Sequence, residues 1–457
     1  MSRIYEKAAY DTTIFPPSYW AQTINRPPTI TNHSEDFKSD IVIIGGGFTG
    51  LNAALELKEK FNQNVTVLDS GPVGWGASGR NGGFACMGGT KKTFQSLLKK
   101  FGHTQTTEVL NCQLEAVKQV KANLFNYDID ADKVDGGELL FAHSQKSVET
   151  IKNDATFMKN ELNFESTFLE KEGLKKLGIA SPEAYAGVLN PNSFGLNPLK
   201  YVIGLYKAAL KKDINLFYET SVIDIKKHNG RITITTTNGT ISADKLIIAT
   251  NGYSSDDIPS NLRGAYLPVL SSIIVTRPLT KEERERQGWT SQITSYDARN
   301  LLHYVRLLPD NRFLFGARGG IKADQKAQLI NQKKSRSEFE RMFPAWADVK
   351  TEFYWSGLVC LTADFLPFIG PIDHNIFCSL GYHGNGVTTA SLAGRQIAQI
   401  AMAESPNHLP GIYKRPLKKF PLPNFRRITL RLGYLLSLIH ISEPTRRTPI
   451  SYAVFCL

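Results

Sequence analysis

The sequence predicts an α/β fold, and three observations near its start carry this prediction. A short apolar run at 40–44 ends in a cluster of glycines, a helical pattern follows directly, and a second apolar run lies at 65–68. Runs of this length, rich in β-branched residues, are typical of buried parallel strands. Strand, glycine turn, helix and strand in this order make one βαβ unit, from which parallel sheets covered by helices are built.

Composition limits what else the chain can be. It has 457 residues, of which 42% are hydrophobic and 21% charged, and this ordinary globular composition excludes wholesale disorder and fibrous repeats. At about 150 residues per domain, the length predicts two to four domains. No apolar run approaches the roughly 18 residues of a membrane span, and 1–13 lack the apolar core of a secretory signal. The five scattered cysteines indicate neither a disulfide framework nor a metal site and suit a reducing cytosol.

The glycine turn reads GGGFTG from Gly45 to Gly50, a G-x-G-x-x-G. Gly45 permits the tight turn, Gly47 lets the backbone approach a pyrophosphate, and Gly50 lets the helix pack on the strand. The helix N-terminus offers free N–H groups to a phosphate. Asp69, which ends the second strand, can accept hydrogen bonds from a ribose. The pattern predicts a dinucleotide site, and the alternative is a glycine-rich turn without a ligand.

A second glycine-rich segment, GWGASGRNGG at 74–83, follows the acidic strand. We expect it to be neither a helix nor an ordinary strand, and to wrap a flat ring or a phosphate chain with bare backbone amides. The alternative is a flexible surface loop, against which Trp75, Arg80 and Asn81 argue.

Two later segments predict further strands of the same domain. The run 243–252 ends in small residues, and 376–380 enters the glycine turn 381–386, which leads into a helical pattern at 387–403. A helix N-terminus placed there would stabilise the negative charge of a reduced flavin. Since no other G-x-G-x-x-G has a complete context, we expect one dinucleotide. Such a flavoenzyme would pass electrons from its substrate to oxygen, a quinone or a carrier protein.

With these motifs, the chain resembles the FAD-dependent oxidoreductases of the D-amino-acid oxidase type, and within them the gamma-glutamylputrescine oxidase group. The similarity runs from about Phe15 to Leu438, and its most specific parts are the segments 74–83 and 304–320. It implies a Rossmann-like FAD-binding domain with an inserted α+β substrate domain on a mixed or antiparallel sheet. The implied boundaries are an N-terminal extension at 1–37, FAD-binding segments at 38–95, 190–258 and 358–438, and substrate-domain segments at 96–189 and 259–357.

Motifs and resemblance together assign non-covalent FAD. Some relatives attach FAD through a cysteine seven residues before the aspartate of a T-x-D motif, but here that position is Gly357 and Cys360 is out of register. The resemblance puts Val222 near the adenine, 80–83 beside the isoalloxazine, and 381–386 with 364–370 along its pyrimidine side. The residues expected to contact FAD are Gly45, Gly47, Phe48, Thr49, Gly50, Asp69, Ser70, Gly76, Ala77, Ser78, Arg80, Asn81, Gly82, Gly83, Val222, Thr250, Asn251, Gly252, Gly381, His383, Gly384, Gly386 and Val387.

Local patterns in the inserted domain agree with the resemblance. Helical patterns lie at 107–125 and 149–162. The run 303–315 reads as a β-hairpin with its turn at Pro309-Asp310-Asn311. Alternation along its first strand puts Tyr304, Arg306 and Leu308 on one face.

The resemblance implies oxidation of a C–H bond next to an amine, with hydride transfer to flavin N5, hydrolysis of the imine to an aldehyde, and reoxidation by O2 giving H2O2. The amine must be neutral to lose a hydride, so the protein must favour the free base. The candidate catalytic residues are His383 for proton transfer, Arg306 and Arg318 for a substrate carboxylate, and Tyr304. For each the alternative is a structural role, and Tyr382 is either a further candidate or a wall of the pocket.

Other functions remain open at this point. A basic segment at 411–435 holds seven lysines and arginines and no acid. It is either a solvated extension or a weak contact to a membrane surface, and the latter motivates a quinone-linked D-amino-acid or secondary-amine dehydrogenase. A further alternative is a flavin-containing nucleic-acid-binding or -modifying module, which the pI of about 9.3 suggests, but the sequence has no recognised RNA-binding motif. We expect a cytoplasmic protein, and we interpret the aperiodic tail 439–457 as an artefact of adapter-derived DNA.

Overall fold

The computed structural model describes residues 2–27, 36–228, 230–428 and 430–431. Two eight-stranded sheets organise this part of the chain. The strands are β1 (Phe37–Ile44), β2 (Val65–Leu68), β3 (Phe84–Ala85), β4 (Glu138–Phe141), β5 (Thr167–Glu170), β6 (Ala186–Asn190), β7 (Phe194–Gly195), β8 (Asn215–Phe217), β9 (Val222–His228), β10 (Arg231–Thr236), β11 (Thr240–Ile248), β12 (Tyr266–Thr276), β13 (Thr294–Asp297), β14 (Tyr304–Leu307), β15 (Phe313–Arg318), β16 (Thr351–Thr362), β17 (Phe368–Asp373) and β18 (Ile376–Leu380). The α-helices are α1 (Tyr19–Gln22), α2 (Phe48–Phe61), α3 (Ala77–Arg80), α4 (Phe94–Asn126), α5 (Gln145–Leu162), α6 (Lys171–Lys176), α7 (Pro198–Leu210), α8 (Lys281–Gln287), α9 (Gln325–Met342) and α10 (Gly386–Ala401).

The first sheet has the order β17-β18-β11-β1-β2-β8 and is parallel from β18 to β8. Strands β10 and β9 extend it antiparallel from the first half of β11. Val42 and Ile43 of β1 are fully buried. Ile43 lies in the core beneath α2 and α10, and Val42 lies in a core on the other face with residues of β10 and β12, such as Ile232 and Tyr266. The strands come from separated stretches of sequence, and the α/β class predicted from the sequence is confirmed.

Helices α2 and α10 pack against each other on this sheet. A Cβ atom at Gly394 of α10 would lie 2.3 Å from the carbonyl oxygen of Thr49, so only glycine allows this approach. This close packing of the two helices places their N-termini near each other.

The second sheet has the order β16-β12-β15-β14-β13-β4-β6-β5 and is antiparallel except where β13 pairs with β4. It contains the predicted hairpin, with Tyr304 opposite Gly316 and Leu307 opposite Phe313. Val305 and Leu307 enter an aromatic-rich core beneath α9, so the faces of β14 are divided as the alternation predicted.

Three predicted elements differ in extent or type. The segment 74–83 contains one helical turn, α3, because Asn81 Nδ2 donates to the carbonyls of Ala77 and Ser78 at 3.1 and 3.0 Å and closes the turn. Helix α4 begins well before 107 and continues through a kink at Gly102, whose φ is +76°. Strand β11, predicted within 243–252, instead covers Thr240–Ile248.

Three of the seven basic residues of 411–435 are bound within the protein, whereas Lys414, Lys418, Lys419 and Arg431 are exposed. Arg415 pairs with Asp364, and its guanidinium also donates to the carbonyls of Leu366 and Pro367. Two further arginines are paired in the same way, Arg426 with Asp256 and Arg427 with Glu6. The remainder of 411–435 beyond residue 431, and the tail 439–457, lie outside the described residues. No helix in the part of the chain that the structure describes has the length and apolar character needed to cross a bilayer.

Candidate active site

A continuous cavity of about 610 Å³ lies between the two sheets. Its first part is lined by Ile44, Leu68 and Ala249, at the carboxyl ends of β1, β2 and β11. In open parallel sheets this edge is where ligands bind.

The dinucleotide end of the cavity has the features that the G-x-G-x-x-G predicted. Gly45 has φ +109°, which an L side chain rarely adopts. Helix α2 has Gly47 as its N-cap, which has no side chain to cap the helix. The Phe48 N–H donates to Ser78 Oγ at 2.9 Å, and the other N–H groups of the first turn are available to a phosphate. Asp69 accepts hydrogen bonds from the backbone N–H groups of Gly46 and Gly71, at 2.8 and 2.9 Å. Burial raises the pKa of Asp69, and its fixed carboxyl group fits a ribose acceptor.

Four of the residues expected to contact FAD do not line the cavity: Gly50, Gly83, Gly252 and Gly381. Their lack of a side chain serves packing instead. A Cβ atom would lie 1.8 Å from Gly45 O at Gly50, and 1.9 Å from Leu196 O at Gly83. The first of these contacts is the helix-on-strand packing that the motif predicted for Gly50. The other expected residues line the cavity, namely Gly45, Gly47, Phe48, Thr49, Asp69, Ser70, Gly76, Ala77, Ser78, Arg80, Asn81, Gly82, Val222, Thr250, Asn251, His383, Gly384, Gly386 and Val387.

Several cavity residues carry no motif and were missed from the sequence. They reach the site because β16, the 3-10 turn after β11 and the N-terminus pack beside the glycine-rich loops. Helical or strand periodicity cannot reveal such long-range contacts. The missed residues include Arg3, Tyr253, Ser254, Leu358, Val359 and Cys360.

The loop 74–83 has a defined conformation. The Arg80 guanidinium lies 4.1 Å from the ring centre of Trp75 and donates to Ser356 O at 3.2 Å. In return, Trp355 Nε1 donates to Arg80 O at 2.7 Å, and Trp20 Nε1 donates to Asn81 O at 2.9 Å. The loop is therefore clamped between the N-terminal segment and β16, and the alternative of a flexible surface loop does not hold.

A second open helix N-terminus faces the cavity at α10. Its N-cap residue, Asn385, donates its side chain to Met87 O at 3.0 Å and makes no cap hydrogen bond. Gly386 and Val387 line the cavity, so the positive end of the helix dipole is directed there. Two uncapped helix N-termini and a fixed carboxyl group around one cavity fit FAD. The segment 364–370, expected on the pyrimidine side, lies outside the cavity lining.

His383 does not provide a free base. Its Nδ1 is 2.9 Å from Gly89 O, and its Nε2 accepts from the Thr362 backbone N–H at 3.3 Å. Burial lowers the pKa of His383 to about 3, so the ring is neutral. The expected proton-transfer role is corrected to a structural one, because both ring nitrogens are already bound. The Tyr382 hydroxyl is likewise held, by Thr49 and Ser379 at 2.8 Å each, which makes this residue a wall of the pocket.

Arg306 lies behind the cavity and not in it. Its Nη1 donates to Gly83 O at 2.9 Å and to Leu196 O at 2.8 Å. Burial lowers the pKa of Arg306 to about 10. The residue supports the loop 74–83 from its far side, so the expectation that it binds substrate is corrected.

Tyr304 and Arg318 do face the cavity. The Tyr304 hydroxyl lies 3.1 Å from Ser271 Oγ, and burial raises its pKa. Arg318 ends β15 beside Gly384, where a Cβ atom would lie 3.3 Å from its Nη2. Within the described chain, no carboxylate pairs with Arg318. Its guanidinium is a cationic group available to a ligand.

The cavity continues into a chamber between the second sheet and α5. Leu140, Val188 and Tyr296 lie on one face of neighbouring strands, and Ile151 and Asp154 face them from the helix. Glu138 begins β4 in the same wall and accepts from Asn190 Nδ2 at 2.9 Å. Neither acid belongs to a motif, so the sequence alone does not predict that they line the cavity.

Comparison with known proteins identifies the family. The FAD dependent oxidoreductase (DAO) family model matches residues 40–400. The chain is 30% identical over 370 residues to the probable oxidoreductase OrdL of Haemophilus influenzae, covering 80% of this chain and 83% of the relative. It is 29% identical over 389 residues to the gamma-glutamylputrescine oxidoreductase of Escherichia coli, covering 85% and 89%.

Among solved structures, glycine oxidase from Geobacillus kaustophilus superposes with a TM-score of 0.70 at 20% identity, covering 84% of this chain and 99% of that one. This likeness shows the fold, including the mixed second sheet. The family match confirms FAD as the cofactor that the sequence predicted. The chain belongs to the DAO family of FAD-dependent oxidoreductases.

Proposed function

We propose that the protein oxidises a primary amine that also carries a carboxylate, with γ-glutamylputrescine as the leading substrate and O2 as the electron acceptor. The family and the relatives support the coarser statement that it is an FAD-dependent oxidoreductase acting on amines or amino acids. The more specific proposal about the substrate is inferred from the residues that line the cavity.

Arg318 is the observation that carries the proposal. Among the described residues, Arg395 and Arg299 have acid partners, Glu56 and Asp297. The cavity-lining Arg80 is instead held by the backbone carbonyls of Trp75 and Ser356. Arg318 lies in the cavity with neither kind of partner among the described residues. A guanidinium pairs with a carboxylate through two parallel hydrogen bonds, which both neutralises and orients a substrate.

The chemistry divides between cofactor and chain. Bound FAD supplies a two-electron acceptor for the hydride that leaves the carbon bearing the amine, and the resulting imine hydrolyses to an aldehyde and ammonia. The chain holds the amine and excludes water. Desolvation beside Tyr304 and Ile273 lowers the pKa of a bound ammonium, which favours the neutral form from which a hydride can leave. Burial raises the pKa of Cys360 to about 12, which makes this thiol a weak nucleophile. We therefore expect FAD to be bound non-covalently.

Anaerobic mixing of the purified holoenzyme with an amine panel tests the substrate. We expect γ-glutamylputrescine to bleach the visible flavin band, and putrescine, sarcosine and D-alanine to do so much more slowly. An unchanged spectrum with γ-glutamylputrescine, together with bleaching by another amine, would overturn the assignment.

Peroxide production tests the electron acceptor. The quinone-linked alternative drew on the basic segment 411–435, and Arg415, Arg426 and Arg427 of that segment are bound within the protein. We therefore expect one H2O2 per amine oxidised in air, with no increase in turnover when a soluble quinone analogue is added. Turnover that requires the quinone would reject the oxidase.

A further inference from the structure

The chamber beyond the flavin end of the cavity has a polar feature that the proposed function does not use. Its wall on α5 is formed by Ile151, Asp154, Ala155 and Met158, all of which line the cavity. Residues spaced by three and four positions share one face of a helix. Three of the four are apolar, and Asp154 is the one charged group of this helix face.

Asp154 is a partly buried carboxylate without a cation. Its carboxylate accepts a hydrogen bond from Gln95 Nε2, a neutral donor, at 3.0 Å. Among the described residues no lysine, arginine or histidine pairs with it, and the pKa of Asp154 is raised by burial alone. Some acids of the described chain have cationic partners, such as Asp132 with Lys200 and Asp364 with Arg415, whereas the buried Asp69 and Glu138 are held by neutral donors.

Removing a carboxylate from water is costly unless an opposite charge compensates it. Asp154 is partly exposed and lines the cavity, so a cationic group bound in the cavity can reach its carboxylate. An ammonium is the cationic group that the proposed class of substrate can bring.

We infer that Asp154 binds a second, non-reacting ammonium group of the substrate. This inference rests on the proposed function and deepens it. The substrate would carry three recognised groups: a reacting amine, a carboxylate for Arg318 and an ammonium for Asp154. γ-Glutamylputrescine has all three, whereas simple alkylamines and monoamino acids have fewer.

Analogues that lack one group at a time test this assignment. Glutarylputrescine keeps the carboxylate and lacks the second ammonium, and 4-aminobutyrylputrescine keeps the ammonium and lacks the carboxylate. In Asp154→Asn we expect KM to rise about 10- to 100-fold for γ-glutamylputrescine and for 4-aminobutyrylputrescine, as expected for loss of a charged hydrogen bond. For glutarylputrescine KM should stay unchanged, and kcat should change little for all three.

The matched control is Glu149→Gln, which removes an exposed acid from the same helix outside the cavity lining. It should leave all three KM values unchanged. Equal effects of Asp154→Asn on all three substrates would overturn the inference, and so would equal effects of the two variants.

Binding of unreactive ligands to the wild-type holoenzyme keeps the inference testable without turnover or a folded variant. γ-Glutamylbutylamide and glutarylbutylamide both lack the reacting amine and differ only in the second ammonium. Calorimetry should show at least about 10-fold tighter binding of γ-glutamylbutylamide. Equal binding, or no binding of either ligand, would overturn the inference. If γ-glutamylbutylamide binds more tightly than glutarylbutylamide but γ-glutamylputrescine does not reduce the flavin, the proposed function is rejected and the role of Asp154 is kept.

Discussion

The imidazole Nδ1 of His383 and the carbonyl oxygen of Gly89 lie 2.9 Å apart, which ties the turn before α10 to the segment after β3. On its other side the same ring accepts from the Thr362 backbone N–H at 3.3 Å. Because burial lowers the pKa of His383 to about 3, the ring remains a neutral linker between these segments across the working pH range. Together with Asn385 Nδ2, which donates to Met87 O, and Thr388 Oγ1, which donates to Cys86 O, this linker holds the N-terminus of α10 against the segment after β3.

Replacement of His383 by asparagine should therefore lower the free energy of unfolding, and it should not remove a proton donor or acceptor from the reaction. We expect a loss of about 1–3 kcal/mol in the free energy of unfolding for each buried backbone group left without a partner. The pH profile of the flavin reduction rate should keep its shape in the variant. Disappearance of an ionisation between pH 6 and 8 from that profile would restore a catalytic role for His383.

The same ring makes stability depend on pH. The unfolded chain protonates His383 near 6.5 and the folded chain only near 3, so the unfolded state takes up a proton first as the pH falls. Stability from this residue is complete above 6.5 and is lost progressively toward 3. The difference in unfolding free energy between wild type and His383→Asn should narrow over this window, as measured by denaturant titration at several pH values. A constant difference would contradict the lowered pKa.

The sequence predicted the nucleotide half of the site well because its chemistry is local. The strand, turn and helix around Gly45, the acid at Asp69 and the turn 381–386 each lie within one short segment, and backbone geometry follows from neighbouring residues. The hairpin faces of Tyr304 and Val305 were also predicted, since alternation along a strand needs no knowledge of its partners.

The substrate half was less predictable because it depends on contacts between distant segments. Arg306 and Arg318 are similar in sequence context, yet one binds carbonyls of the loop 74–83 and the other faces the cavity. Asp154 looks like any polar residue on an amphipathic helix until the second sheet packs against it. The environment of a basic run cannot be predicted from the sequence for the same reason, because the partners of its residues are distant in the chain. The acid partner of Arg415 lies 51 positions away.

Asp69→Ala should weaken FAD binding. The carboxyl group is held by the N–H groups of Gly46 and Gly71, and it has lone pairs left for a ribose hydroxyl. Loss of this acceptor should raise the Kd for FAD about 10- to 100-fold, measured by fluorescence during reconstitution of the apoprotein. Thermal stability measured without FAD gives the structural effect separately. An unchanged Kd would mean that Asp69 only shapes the glycine turn.

Arg306→Met should loosen the loop 74–83 without changing substrate selectivity. The variant loses donors to Gly83 O and Leu196 O, so we expect lower FAD occupancy and a lower Tm. KM values measured on the FAD-loaded fraction should shift by similar factors for amines with and without a carboxylate. A selective rise for carboxylate-bearing amines would return Arg306 to the substrate site.

Arg318→Gln should change selectivity and leave FAD binding intact. The guanidinium lies in the cavity beside Gly384 without an acid partner in the described chain, so its removal deprives only the substrate of an ion pair. We expect KM to rise about 10- to 100-fold for γ-glutamylputrescine and glutarylputrescine, and to stay unchanged for 4-aminobutyrylputrescine. Arg318→Lys, which keeps the charge and loses the bidentate geometry, should fall between wild type and Arg318→Gln. If instead kcat falls equally for all three substrates and KM is unchanged, Arg318 stabilises the transition state and does not bind the substrate carboxylate. The argument for a carboxylate-bearing substrate is then lost.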